Sequence, residues 1–254
     1  ALEGGSISED DTYFCDGYEM VGGWKIDCAK RSGHGHQTLA EAVANSCNDA
    51  LMQIAKKMGI SNFSDYNRIF GFGQKTNIDI VGEASAETLV ISKEKMTETD
   101  LAVNSFGQSI NMTSIQLTSS FASLINGGYL YQPHLVKQIV TSNGNNVETI
   151  DKILVKQTIS PGTSEKIKDY LLGTVDFGTG KRAQIEGYDI GGKTATAEKL
   201  PRGNGKHVIS FLGFAPVQNP QVIMYVAIDR NGQAQTYVTV AMPDPNLLER
   251  LQAS

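Results

Sequence analysis

Three β-type runs toward the C-terminal end constrain the fold more than anything else in the chain: Asp189–Lys199, His207–Phe214 and Val222–Asp229. The segments between them are polar or turn-like and too short for helical crossovers, so that part of the sheet is expected to be antiparallel. The first run reads Asp-Ile-Gly-Gly-Lys-Thr-Ala-Thr-Ala-Glu-Lys. Lys193, Thr194 and Thr196 set one cation and two hydroxyls along a few residues of extended chain. Gly191 and Gly192 beside them are expected to clear space for close approach of a ligand or another backbone. A lysine among neutral donors at a sheet edge suits a carboxylate. The same residues also fit a polar edge strand whose lysine merely deters unwanted pairing.

Composition narrows the function classes. With 40% hydrophobic and 19% charged residues, the 254-residue chain has ordinary globular make-up, enough for one large domain or two small ones. A net charge of −5 and the lack of any long basic run argue against a nucleic-acid partner. No apolar run approaches the roughly 20 residues of a membrane span, and no signal peptide opens the chain. The opening Ala1–Gly5 reads as the end of a helix, so the sequence is expected to be a piece of something longer. Cys15, Cys28 and Cys47 lack a CxxC pair and make a poor zinc site on spacing. One disulfide with a thiol left over, or three unpaired thiols, both fit. His34 and His36 have no third histidine or acidic partner at metal spacing, which favours a loop role.

Helix signals fill the middle of the chain, after short strands and loops over residues 1–37. Thr38-x-x-Glu41 is a capping box ahead of Leu39, Ala42 and Val43. Ser46-Cys47-Asn48 interrupts that helix, and a second follows with Leu51, Ile54, Ala55 and Met58 at helical spacing and Gly59 as its stop. Such a corner between two helices could hold Ser46 and Asn48 rigidly at a cleft, although taken alone Asn48 reads better as the cap of the second helix. Residues 61–100 read as polar and loop-rich, with a turn at Phe70–Gly73. Thr113-x-x-Gln116 opens a buried helix carrying Leu117, Phe121, Leu124 and Ile125. Val136–Thr141 and Val147–Ile150 read as a hairpin, and Ser160-Pro161 starts a helix that closes near Gly178. Phe177-Gly178-Thr179-Gly180-Lys181 lacks phosphate-loop spacing and follows a helix, which excludes nucleotide binding there.

Penicillin-binding proteins and class A β-lactamases carry S-x-x-K, then S-D-N, then K-T-G. Ser46-Cys47-Asn48 and Lys193-Thr194-Ala195 match the second and third elements in order. The connecting sequence is more specific: Gly35–Thr38, Ser105-Phe106-Gly107-Gln108, Asn126-Gly127-Gly128, Gln132-Pro133-His134 and Phe177–Gly180 resemble class B penicillin-binding proteins in content and order, over nearly the whole chain. Within that class the resemblance is to the stage V sporulation protein D type. It implies an α+β fold, an antiparallel sheet of about five strands with helices on both faces, and a single transpeptidase domain over 1–254 lacking its N-terminal nucleophile segment. It also implies a cell-wall D,D-transpeptidase acting outside the bacterial cytoplasmic membrane on peptidoglycan stem peptides, open to β-lactams and needing no cofactor. A membrane anchor is expected only in a full-length protein, and cell-wall synthesis proteins are possible partners.

By position, the resemblance implies that Ser46 relays protons between the nucleophile and Lys193. Asn48 donates to the substrate's peptide carbonyl, Thr194 and Thr196 bind its terminal carboxylate, and the Thr196 N–H is one oxyanion donor. Two departures stand out. The only literal S-x-x-K, Ser92-Lys93-Glu94-Lys95, falls after Ser46 in charged surroundings and reads as a chance match, so the chain as given is expected not to acylate. Ala195 replaces the usual glycine; its methyl shares a face with Lys193 and is expected to narrow the cleft and weaken binding. A hydrolase of the β-lactamase or D,D-carboxypeptidase type, and a non-catalytic peptidoglycan- or partner-binding module, are the alternatives. A disulfide from Cys47 to Cys28 or Cys15 would distort or block the cleft and gate activity by redox state, while Cys47 as a small buried apolar side chain is the simpler reading. The tail Tyr237–Ser254 is expected to hold only a helical stub at Leu247–Leu251, so apolar surface is expected on one face of the sheet.

Overall fold

A computed structural model describes residues 1–241 apart from 86, 200, 202 and 232, and over 230–241 the backbone alone. The opening segment forms two small antiparallel ribbons. β1 (Thr12–Cys15) pairs with β4 (Gly35–Thr38), and β2 (Tyr18–Val21) pairs with β3 (Trp24–Asp27) across Gly22-Gly23. Both of those glycines have positive φ (57° and 82°), as a two-residue hairpin turn requires.

Side chains that satisfy orphan backbone donors set the helix starts. Thr38 Oγ1 accepts from Glu41 N at 3.2 Å while the Glu41 carboxylate takes Thr38 N at 2.8 Å, opening α1 (Leu39–Ala44). α2 (Asn48–Ile69) is capped by the Cys47 sulfur, not by Asn48. Gly59 bends α2 (φ 76°, ψ 160°) without ending it, and helical turns resume through Ile69. The expected loop after residue 60 is therefore partly helix: Ile60 and Phe63 pack on a small core of Ala55, Met96 and Leu101, which overrides the polar composition. α3 (Glu98–Ser105), which starts at the end of the region read as loop-rich, and α4 (Ser114–Ile125) both begin with capping boxes, from Thr97 and Thr113. After α4 come β5 (Tyr129–Tyr131), the hairpin β6 (Gln138–Val140) and β7 (Asn146–Thr149), and β8 (Leu154–Gln157), which pairs with β5. α5 (Pro161–Asp176) starts at the Ser160 cap with proline in its first turn. The Glu3 carboxylate accepts hydrogen bonds from Thr163 Oγ1 (2.6 Å) and Ser160 Oγ (2.9 Å), which holds the start of the chain against α5 and lowers the Glu3 pKa.

The main sheet runs β12-β11-β10-β9, every neighbour antiparallel, from β9 (Gly191–Glu198), β10 (His207–Ala215), β11 (Val222–Asn231) and β12 (Gln233–Ala241). The strand β12 occupies the start of the segment read as an unusual tail; the stub at Leu247–Leu251 lies outside the described residues. Leu212, Phe214 and Ile223 bury one face of the sheet against Phe121 and Ile125 of α4 and Leu171 of α5. Phe214 is 2% exposed, its ring 6.0 Å from that of Phe121, and burial of such a side chain contributes about 2–3 kcal/mol. The other face carries exposed Ile209, Met224 and Ile228. Gly191 and Gly192 do clear space, but for the sheet itself: a methyl on Gly191 would enter the Phe214 ring and one on Gly192 the Phe211 ring. The close approach they permit is aromatic packing, not ligand entry. Among the described residues, no helix is long and apolar enough to cross a membrane.

Candidate active site

β9 is the terminal strand of the sheet, with β10 on one side only. Beside its free edge lies a cleft of about 960 Å³ lined by Ser46, Asn48, Lys193, Thr194, Ala195 and Thr196. The sequence-expected site residues thus meet in one place, although Ser46 and Lys193 are 147 positions apart in the chain.

The corner between α1 and α2 is held by local bonds. Ser46 takes a left-handed conformation (φ 51°), Ser46 N donates to Val43 O at 3.1 Å, and Cys47 N donates to Ala42 O at 3.0 Å. Asn45 Nδ2 reaches Gln37 Oε1 at 2.9 Å, and Asn48 Nδ2 lies 3.4 Å from Asp27 O. The serine and asparagine therefore project from a tight turn pinned to the strands beneath it.

On the opposite wall, burial lowers Lys193 from 10.5 to about 8. Its Nζ donates to Thr194 O at 3.3 Å, and no carboxylate pairs with it among the described residues. A lysine ionising near neutral pH holds a usable neutral fraction, as proton transfer requires. Thr196 O accepts from Gln108 Nε2 at 3.5 Å across the open edge. In an antiparallel strand the N–H and C=O of one residue point to the same side, so the Thr196 N–H faces the cleft as well.

Two lining residues were not singled out by sequence reasoning. Thr179 shares a 2.7 Å hydroxyl hydrogen bond with Thr194, and its N–H donates to Ala44 O at 3.0 Å. The loop after α5 therefore ties the end of α1 to β9. Gly178 permits this, because a Cβ there would strike the Ala44 carbonyl. The Phe-Gly-Thr-Gly segment is the available signal, and its sequence alone gives Thr179 no role of its own. Arg182 adds a second cation to the lining and left no sequence signal. Ser92, by contrast, lines a different hollow with Lys93 and Glu94, and Lys93 Nζ there reaches Asp65 Oδ2 at 3.3 Å.

A family model described as the penicillin-binding protein transpeptidase domain matches residues 1–242. The chain belongs to that family. This transpeptidase domain is 38% identical to stage V sporulation protein D of Bacillus subtilis over 92% of the chain and 36% of that protein. It is 26% identical to penicillin-binding protein PbpB of Mycolicibacterium smegmatis over 90% of the chain and 37% of the relative. The chain thus spans little more than a third of these curated relatives. Among solved structures it resembles the D,D-transpeptidase domain of a peptidoglycan glycosyltransferase from Eggerthella lenta, with a TM-score of 0.80 and 26% identity over 92% of the chain and 58% of the other. It also resembles penicillin-binding protein 3 of Mycobacterium tuberculosis complexed with aztreonam, with a TM-score of 0.80 and 26% identity over 91% of the chain and 54% of the other.

Directly behind the Ser46–Asn48 corner, the transpeptidase fold gathers residues that spacing kept apart. Cys15, Cys28 and Cys47, all buried, converge with the half-buried His34 in one cluster, their sulfurs and a ring nitrogen all within 4.8 Å of one another. His34 is therefore not a plain loop residue. The thiols are unbonded, Cys28 Sγ and Cys47 Sγ being 3.9 Å apart against about 2.05 Å in a disulfide. Burial pushes the Cys15 thiol up to about 12 and raises Cys47 as well. Burial alone would raise Cys28 too, but backbone N–H groups of Asp49, Lys30 and Asn48 facing its sulfur bring it below the ordinary thiol value.

Proposed function

We propose that this chain forms the substrate-binding and proton-relay part of a peptidoglycan D,D-transpeptidase that cross-links stem peptides through an acyl-serine intermediate and is acylated by β-lactams. The observation that carries the reading is the single cleft in which a depressed lysine, a pinned serine and asparagine and two threonines line a free strand edge. An extended anionic peptide adds to such an edge as a further strand, with main-chain bonds giving affinity and side-chain sites giving selection.

In this reading the attacking serine belongs to an S-x-x-K segment outside residues 1–254. Its hydroxyl proton passes through Ser46 to neutral Lys193 as the Oγ attacks the D-Ala-D-Ala carbonyl. Asn48 Nδ2 orients the substrate amide. Thr194, supported by Thr179, and Thr196 hold the terminal carboxylate, with Arg182 adding positive potential. The Thr196 N–H meets the developing oxyanion, an electrostatic contribution of the kind that costs about 10²–10³ in rate when lost. An acceptor amine from a second stem resolves the acyl-enzyme, outside the cytoplasmic membrane.

Intact mass after incubation with penicillin tests this on the given chain and on a version extended upstream through S-x-x-K. An adduct on the extended version alone supports the reading. An adduct on the given chain refutes the location of the nucleophile, and peptide mapping names the true one. Rapid hydrolysis of the drug by the extended version identifies a hydrolase instead. Reversible binding with no adduct on either identifies a binding module.

A further inference from the structure

A second hollow of about 330 Å³ lies where the end of α4, the first turns of α5 and the β10–β11 connection meet. From it we infer a saccharide site, which seats an N-acetylated sugar of the peptidoglycan glycan strand that carries the acceptor stem. That the sugar comes from peptidoglycan rests on the transpeptidase reading; the chemistry of the hollow argues for a sugar by itself. Its aromatic wall is built by Asn126-Gly127-Gly128, a segment with no part in the cleft. Asn126 Oδ1 accepts from Tyr129 N at 2.9 Å, and its Nδ2 donates to Tyr129 O at 2.8 Å. A Cβ on Gly127 would come within 3.3 Å of the Tyr129 ring, and one on Gly128 would strike the Ile159 carbonyl. The Tyr129 ring, 37% exposed, is thus held rigidly, and Tyr131 lines the hollow beside it.

The opposite wall carries a buried cation. Lys168 is 4% exposed and still lines the hollow. Among the described residues its ammonium meets Glu165 Oε2 at 2.9 Å and Gln218 O at 3.3 Å, so one of its three N–H groups remains for a ligand. A buried donor costs free energy until it is paired. Among the described lining residues only Lys168 and Glu165 are charged, and they neutralise each other, so the hollow does not select a phosphate or an anionic peptide. The Gln218 and Asn219 amides both donate and accept. A neutral ring with hydroxyls around its rim and C–H groups on its face uses all of these together with the tyrosines. An acetamido group adds an amide for Asn219 and a methyl for the buried Pro220 beside it. The volume is at the small end for ligand sites, as a single sugar requires.

The hollow also lies on the side from which the acceptor comes. Val217 N donates to Asp189 O at 3.2 Å, which fixes the β10–β11 connection beside the start of β9. A substrate added to β9 in the antiparallel sense of the rest of the sheet points its C-terminus toward that same start. The leaving D-alanine therefore sits nearest this end, and the acceptor amine enters where it departed. From Lys168 to Asp176, the end of α5, is about 12 Å along the helix, and Thr179 of the cleft follows. Five extended residues span about 17 Å, so a stem peptide reaches from a sugar in the hollow to the acyl-serine.

The test is a titration of the full chain followed by amide chemical shifts, with no acylation involved, so it stands apart from the proposed reaction. The probes are chitotetraose, a stem-free glycan tetrasaccharide alternating N-acetylglucosamine with N-acetylmuramic acid, and maltotetraose. The first two should shift the amides of 126–131, 165–168 and 218–219. Maltotetraose, lacking the acetamido contacts, should bind at least about tenfold more weakly. Tyr129→Ala should weaken glycan binding about 3–10-fold, and Asn219→Ala about as much. Trp24→Ala, which removes an indole 69% exposed on the β2–β3 ribbon, should leave the affinity unchanged. No binding of the glycan, equal binding of maltotetraose, or shifts confined to other residues would overturn the inference. So would loss of binding in Trp24→Ala, or binding of chitotetraose but not of the glycan, which would detach the site from the cell wall. The shift map on the unaltered chain keeps the test decisive if Tyr129→Ala fails to fold. If the extended protein takes no penicillin while the glycan binds in this hollow, the transpeptidase reading fails and the saccharide site stands.

Discussion

Replacing Lys193 by methionine should stabilise the chain near neutral pH and remove a specific dependence of its stability on pH. An ordinary lysine ionises at 10.5 and Lys193 at about 8, because the cleft withdraws water from its ammonium without supplying a carboxylate. At about 1.36 kcal/mol per pH unit, holding that charge in the folded state costs up to about 3 kcal/mol. Between about pH 8 and 10.5 the unfolded chain keeps a proton that the folded chain has released, so unfolding free energy rises with pH across that window. Below pH 8 both states are protonated and the full cost is present; above 10.5 it has vanished. Urea unfolding of the wild type and Lys193→Met, followed by fluorescence at pH 7 and pH 9.5, isolates the effect. The variant should be the more stable at pH 7, and its advantage should shrink by about 2 kcal/mol at pH 9.5, the part of the window covered. Methionine packing differently shifts the difference by a constant, and the other groups that titrate in this range are common to both proteins. A stability gap that stays flat between the two pH values would refute the assignment of a desolvated lysine.

Thr179→Val, in the chain extended through S-x-x-K, removes the hydroxyl partner of Thr194 and should slow acylation by penicillin about tenfold with the melting temperature almost unchanged; an unchanged rate rules out support of the carboxylate site by this loop. Ala195→Gly in the same protein should speed acylation several-fold while costing about 0.5–1 kcal/mol in stability, and no change in rate would show that the methyl does not obstruct the cleft. Gly191→Ala should cost about 1–3 kcal/mol by overpacking against Phe214. Phe214→Leu should recover part of that loss in the double variant, and strictly additive losses in denaturant would contradict the packing role.

Much of this architecture was legible because its signals are local. The Thr38 and Thr113 boxes, the Ser160-Pro161 start and the three late strands each depend on residues within one turn or one pairing, and all form where expected. The second helix ran past its expected stop because tertiary contacts of Ile60 and Phe63 decide that segment, not its polarity. The pair Gly191-Gly192 misled for a related reason. Glycine reports that something comes close, and only the register placing Phe214 opposite Gly191 says what. Ser46, Asn48 and Lys193 could be placed together through motif order, whereas Thr179 and Arg182 depend on where the chain returns after α5. The cysteine–histidine cluster was the least legible. Its four members are spread over 33 positions with no short pair among them, and only the β1–β4 ribbon and the α1–α2 corner fold them onto one point.

The spacing of the two centres also sets an order of assembly in time. All four members of the cluster have been synthesised once Cys47 has been added, whereas the cleft waits for Lys193, 146 residues later. At about 5–20 residues per second, that interval lasts roughly 7–30 s. The three thiols can therefore meet an oxidant while the sheet is still unmade, and they are shielded once β1, β4 and α2 close around them.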